Sequence, residues 1–150
     1  MSLLARDYAT KREAFGKTIE HHPLHVFQLG NLEAEARSGF LMLFRMAQLI
    51  GLAENGKMGV DDGNLLRVLM PLAKGYVCKR SMPILSEGLE MFGGQGYMED
   101  SGIPVLFRDA QVQPIWEGTT NIQGIDLLRA ASKGDAMKAL LKDAQRLDSS

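Results

Sequence analysis

The sequence predicts an all-α chain, a helical bundle with two long helices at its centre. Apolar residues recur at i, i+3/i+4 spacing over long stretches, and no stretch of useful length alternates with the period of a strand. Hydrophobic residues make up 45% of the 150, which is enough to bury a core and argues against disorder. The length reads as one domain, residues 1–150. Leu3-Leu4-Ala5-Arg6-Asp7-Tyr8-Ala9 is amphipathic with no cap ahead of it, so a fragment of a longer protein is expected.

The first helix is expected from Leu3 to about Arg12, with Phe15-Gly16 ending it. After a polar turn, Pro23 suits the first turn of a second helix. That helix should run to about Glu54, because Leu24, Phe27, Leu32, Ala36, Phe40, Leu43, Phe44, Ala47 and Ile50 share one face. Asn55-Gly56 caps it and Asp61-Asp62-Gly63 reads as a loop. A third helix is expected from about Asn64 to Phe92, bent or broken at Pro71 and Pro83, since each proline removes a backbone donor. Gly93-Gly94-Gln95-Gly96-Tyr97 terminates it. A loop of about twenty residues carrying Pro104 and Pro114 follows; connections that long tend to be functional. A helix from Thr120 to about Ser132 and a charged one from about Asp135 to Arg146 complete the chain.

Lys and Arg number 17 against 18 Asp and Glu, a net charge of -1, which offers no footprint for nucleic acid or an anionic membrane. No apolar run reaches the ~18 residues of a membrane span. The single cysteine, Cys78, excludes an internal disulfide, fits a reducing compartment, and sits in an apolar helical pattern as a small core residue.

Chemistry concentrates in Ile115-Trp116-Glu117-Gly118-Thr119-Thr120-Asn121-Ile122-Gln123. Ile115 and Trp116 should desolvate the Glu117 carboxylate, raising its pKa toward that of a general base. Gly118 leaves adjacent N–H groups open to approach, and Thr120-x-x-Gln123 reads as a capping box. Gly93-Gly94-x-Gly96 lacks the preceding strand of a dinucleotide fingerprint. Three glycines there exceed what a helix cap needs, so close approach by a ligand or another helix is expected. Arg12-x-x-Phe15-Gly16-Lys17 sets a guanidinium fork, suited to bidentate phosphate contact, beside an aromatic ring. His21, His22 and His25 resemble a metal cluster, but Pro23 disturbs the helix between them and no metal site is assigned. Arg108-Asp109 reads as a local ion pair.

In that order, Arg12-x-x-Phe15-Gly16-Lys17, Gly93-Gly94-x-Gly96-Tyr97, Phe107-Arg108-Asp109-Ala110 and Ile115–Gln123 resemble the C-terminal helical domain of the acyl-CoA dehydrogenases, over roughly Ala5 to Ala131. Cys78-Lys79-Arg80-x-Met82-Pro83, Met98-Glu99-Asp100-Ser101 and Asn121-Ile122 look most like the AidB-type branch, which is linked to protection of DNA against alkylation. Thr119-Thr120 and Ile122-Gln123 look more like the ordinary dehydrogenases. The resemblance implies a four-helix up-and-down bundle with its first helix truncated, the N-terminal helical and middle β-domains lying outside this chain. It implies FAD as cofactor and an acyl-CoA substrate desaturated at Cα–Cβ, with Glu117 removing the α-proton. Arg12, Gly93 and Gly94 would contact FAD across a subunit boundary, Phe15 would also bind the cofactor, Thr119 and Asn121 would form the flavin-binding turn, and Gly118 would touch substrate. An electron-accepting flavoprotein, a homo-oligomeric dimer of dimers, and a cytoplasmic location (mitochondrial matrix in a eukaryote) are implied as well. Glu90 and the His22-Pro23 pair depart from the common family pattern and lean toward the AidB-type branch.

Overall fold

The computed structural model describes residues 1–148. Among them are seven α-helices: α1 (Ser2–Lys11), α2 (Pro23–Glu54), α3 (Val60–Glu90), α4 (Gly94–Tyr97), α5 (Ile103–Ala110), α6 (Thr120–Ala131) and α7 (Ala136–Asp148). The all-α class therefore holds. The only strands among the described residues, β1 (Glu13–Ala14) and β2 (Lys17–Thr18), make a minimal antiparallel hairpin pairing Glu13 with Thr18 and Ala14 with Lys17. Phe15-Gly16 is its turn rather than the stop of α1. Both residues have positive φ, 52° and 82°, as a type I′ turn requires.

The long helices follow the apolar periodicity, and their ends show which local signals were read correctly. Pro23 opens α2 as expected. Gly56 closes it at φ 64°, with Gly56 N–H donating to Ala53 O (3.0 Å) and Lys57 N–H to Leu52 O (2.8 Å), a Schellman pair. Helix α3 takes in Asp61-Asp62-Gly63, expected as loop. Two acidic side chains in a first turn suit the helix dipole, and Asp62 accepts from the Gly59 N–H at 3.2 Å. The same helix runs unbroken through Pro71 and Pro83. Each proline forfeits a local bond; around Pro71 the burial of Leu65, Val68, Leu69, Pro71 and Ala73 offsets that loss, and beyond Pro83 the side chains of Ile84 and Leu89 pack against the core of Ala5, Leu32, Met91, Phe92 and Ile103.

The expected twenty-residue loop is largely structured. A 3-10 turn (Glu99–Ser101) leads through Gly102 at φ 70° into α5. Pro104 occupies the first turn of α5, where its missing donor costs nothing. Arg108 pairs not with Asp109 but with Glu99, through two bonds of 2.7 and 2.9 Å that hold the Glu99 carboxyl below the usual carboxylate range.

Contacts divide the chain into two compact units, one of Met1–Ser38 with Arg80–Gln113, the other of Gly39–Lys79 with the chain from Pro114 onward. In the first, Ala5, Leu32, Met91, Phe92 and Ile103 form the core, and the Tyr8 hydroxyl donates to the Phe92 carbonyl at 3.3 Å. In the second, Leu49, Leu65, Leu69 and Ala139 form one cluster and Val68, Ala130 and Ala136 another. The largely buried Arg45–Asp143 pair there makes bonds of 2.7 and 3.3 Å. On α2 in this unit Phe40, Leu41, Leu43 and Phe44 stay exposed, and the Phe40 and Phe44 rings lie 4.3 Å apart. Cys78 is half-buried rather than a full core residue.

Leu49 is fully buried whereas Leu41 is 67% exposed. Leu49→Ala should therefore cost about 2–5 kcal/mol in urea unfolding, while Leu41→Ala should stay within about 0.5 kcal/mol.

Candidate functional site

The structure gathers the residues singled out by sequence into two places, one in each unit. Residues 111–117 form successive turns that end, in the second unit, on Glu117 at φ 55° and Gly118 at φ 104°. Left-handed backbone is a local strain for a glutamate and free for a glycine. Thr119 (φ -64°, ψ 167°) then serves as N-cap of α6, and Asn121 stands exposed in its first turn.

Ile115 and Trp116 are 60% and 56% exposed and Glu117 is itself exposed, so the flanking pair does not desolvate the carboxylate within this chain. The turn throws these side chains outward instead of folding them over one another. The capping box does not form either. With Thr119 as N-cap, Gln123 falls one residue beyond the position a capping box needs. Its side-chain amide instead donates to the carbonyls of Glu117 (3.2 Å) and Gly118 (3.4 Å). The N–H groups of Glu117, Gly118 and Thr119 have no hydrogen-bond partner among the described residues.

The first unit holds a cleft of about 610 Å³, lined by Arg12, Glu90, Gly93, Gly94, Tyr8 and His25 among others. The end of α1 delivers Arg12, whose guanidinium has no ion-pair or hydrogen-bond partner among the described residues. Gly93 sits at φ 57°, ψ -136°, a conformation that glycine alone adopts readily. A Cβ at Gly93 or Gly94 would meet nothing within 4 Å, whereas one at Gly96 would lie 2.0 Å from the Leu89 carbonyl oxygen. The surplus glycines thus divide into two that border open space and one that seats α4 against the end of α3. Phe15 stands outside this lining at the hairpin tip, 97% exposed, its ring edge-on to His22 at 6.1 Å.

Sequence reasoning missed Tyr8 and His25 in the cleft. Tyr8 was legible only as one apolar position of α1. The sequence sets His25 beside His21 and His22, but the three rings have separate surroundings. His21 Nδ1 lies 2.8 Å from Thr18 Oγ1, and His22 Nε2 donates to the Ala14 carbonyl at 3.0 Å. His25 Nε2 is buried without a partner. Burial first, and the neighbouring His22 second, hold the His25 pKa below the ordinary imidazole value.

A sequence profile described as acyl-CoA dehydrogenase, C-terminal domain, matches residues 3–132. The chain belongs to the acyl-CoA dehydrogenase family. Acyl-CoA dehydrogenase family member 11 of Caenorhabditis elegans is 49% identical over 145 residues, 96% of this chain and 24% of its own length. AidB of Escherichia coli strain K12 is 34% identical over 141 residues, 94% of this chain and 25% of its own. The crystal structure of Caenorhabditis elegans ACDH-11 in complex with C11-CoA matches with a TM-score of 0.93 at 48% identity, covering 97% of this chain and 25% of that chain. The chain thus spans about a quarter of the length of these relatives. Members of the acyl-CoA dehydrogenase family use FAD. The cleft suits such a group on its own geometry: an uncommitted guanidinium for a pyrophosphate beside two glycines with room above their backbone. No helix among the described residues is long and apolar enough to cross a membrane.

The lowered pKa of His25 fixes the sign of one pH effect. As pH falls through the ordinary imidazole value of ~6.5, the unfolded chain takes up a proton before the folded one does, so stability drops. The loss should grow until pH passes the lower folded-state pKa and then level off. Urea midpoints of wild type and His25→Gln, compared between pH 7.5 and 5, should diverge with wild type losing more.

Proposed function

We propose that this chain is the C-terminal helical domain of an FAD-dependent acyl-CoA dehydrogenase that desaturates an acyl-CoA thioester at Cα–Cβ, with Glu117 as the base. The observation that carries the reading is Glu117 itself: an exposed carboxylate on a left-handed, non-glycine residue, a strain that clusters at active sites. Glu117 takes the α-proton as the Cα–H bond breaks, and the electron pair left behind becomes the new C=C bond. The bound FAD supplies the acceptor chemistry for the β-hydride. The Glu117 N–H would donate to the thioester oxygen, where negative charge builds as the proton leaves. Gly118, with no side chain, lets the thioester approach, and Thr119 and Asn121 at the start of α6 form the flavin-side turn.

Arg12 would hold the FAD pyrophosphate, Gly93 and Gly94 would contact its adenosine half, and Phe15 at the hairpin tip would add a further contact. Glu90, a carboxylate, suits the hydroxyl or amino donors of that half rather than its phosphates. The relative solved with C11-CoA supports an acyl-CoA as substrate. Exposed Phe40, Leu41, Leu43 and Phe44 support a homo-oligomer, a dimer of dimers, with α2 at an interface. An electron-accepting flavoprotein reoxidises the enzyme in the cytoplasm, or in the mitochondrial matrix of a eukaryote. Without the domains that enclose the flavin ring, this domain alone is an inactive assembly module.

A second reading follows from the AidB-type features of the sequence, with the 34% identity to AidB in support: a flavoprotein of DNA alkylation protection in which the same Glu117 site is secondary. Salt-sensitive DNA binding by the flavin-loaded protein would favour it.

Glu117→Gln in the flavin-loaded protein should keep FAD and acyl-CoA binding while slowing anaerobic flavin reduction by C11-CoA about 10²–10⁴-fold or more. Reduction near the wild-type rate would remove Glu117 from the mechanism. Arg12→Ala should weaken FAD binding by about 1.5–3 kcal/mol in an absorbance titration. Arg12→Lys should recover only part of that, since an ammonium cannot reproduce the bidentate fork.

A further inference from the structure

We infer that Gln123 is a positioning residue for Glu117, its side-chain amide clamping the two carbonyls of the left-handed Glu117–Gly118 turn. The inference rests on the reading of Glu117 as the base. One amide nitrogen, with two hydrogens to give, meets two acceptors, Glu117 O at 3.2 Å and Gly118 O at 3.4 Å. Gln123 is half-buried at the start of α6 and backed by α3, where a Cβ built on Gly75 would lie 3.6 Å from Gln123 Cβ. The clamp is close-fitting on its other side too. A Cβ on Gly118 would come within 2.7 Å of Gln123 Nε2 and 3.3 Å of Ile122 Cγ2, so φ 104° favours glycine there and a side chain would push the Gln123 amide off its acceptors.

The consequence follows from peptide planarity. In a trans peptide the C=O and N–H point in opposite directions. Turning the Glu117 and Gly118 carbonyls toward Gln123 therefore turns the N–H groups of Gly118 and Thr119 away from it, and these are among the donors left without partners. The same clamp opposes relaxation of Glu117 from φ 55° to ordinary right-handed or extended backbone, which would swing its carboxylate to another direction. Gln123 acts through the backbone of Glu117 and Gly118, to whose carbonyls its amide is committed.

The test uses the flavin-loaded protein carrying this domain and reads anaerobic flavin reduction by C11-CoA in single turnover. Gln123→Met keeps the length and removes both donors. The rate should fall about 10²-fold, as expected for a misplaced reacting group, with FAD occupancy, C11-CoA affinity and the thermal midpoint near those of wild type. Gln123→Glu adds a readout that a merely structural role would not move. Ionised, its carboxylate repels the two carbonyls; protonated, it donates to one. Its rate relative to wild type at the same pH should rise as pH falls through the carboxyl range, while the Gln123→Met ratio stays flat. A wild-type rate in Gln123→Met overturns the clamp. So does a rate that falls only in step with FAD occupancy and thermal midpoint, or a Gln123→Glu ratio that does not change with pH. Glu117→Gln measured alongside separates the two ideas. If it reduces flavin at the wild-type rate, the base assignment falls and the clamp with it. If it is inactive while Gln123→Met is normal, only the clamp falls.

Discussion

Glu117 carries its side chain on a backbone at φ 55°, and what the candidate site can do depends on something holding it there. Left-handed backbone costs an ordinary L-residue roughly 1–2 kcal/mol, so a lone glutamate in a surface turn would slip out of it. Three neighbours oppose that slip. Gly118 continues the positive-φ path, Thr119 returns the chain to extended geometry as N-cap, and Gln123 bonds back to both turn carbonyls. Helix α6 is the rigid element behind them, with Ala130 buried against Val68 and Ala136. The order of dependence runs from an apolar cluster to a helix, from the helix to one amide, and from that amide to the direction of one carboxylate.

The helices were legible because their signals are local and redundant. Nine apolar positions on one face of α2 outweigh any single misplaced residue, and Asn55-Gly56 fixed its end. Signals that failed were those in which a residue has two meanings. Pro104 marks a loop or opens a helix, and here it opens α5. Pro71 and Pro83 break a helix unless burial along it compensates, as it does in α3. Gln123 caps in one register and clamps in the next, a difference of one residue that sequence cannot resolve.

For the candidate site, the sequence offers residue types and the structure supplies their environment. The motifs single out Glu117, Gly118, Arg12 and the glycine pair as candidates by their chemistry alone. They could not say that Ile115 and Trp116 face outward, since burial depends on what else covers a turn. In the cleft, Tyr8 and His25 come from helices α1 and α2 to lie with Arg12 and Gly93, a meeting set by tertiary packing alone. Arg108 found Glu99 rather than its sequence neighbour for a related reason: adjacent residues on a helix do not face each other.

Phe15, on the hairpin tip, shares with Glu117 a positive φ that its own chemistry resists. A redesign ranking substitutions by local fit would replace both, offering asparagine or glycine at the turn and glycine at the carboxylate. Each exchange would improve the isolated polypeptide and erase the features on which the candidate site is built. An optimisation campaign for thermal tolerance should therefore freeze these two positions at the outset and draw its gains from elsewhere on the chain.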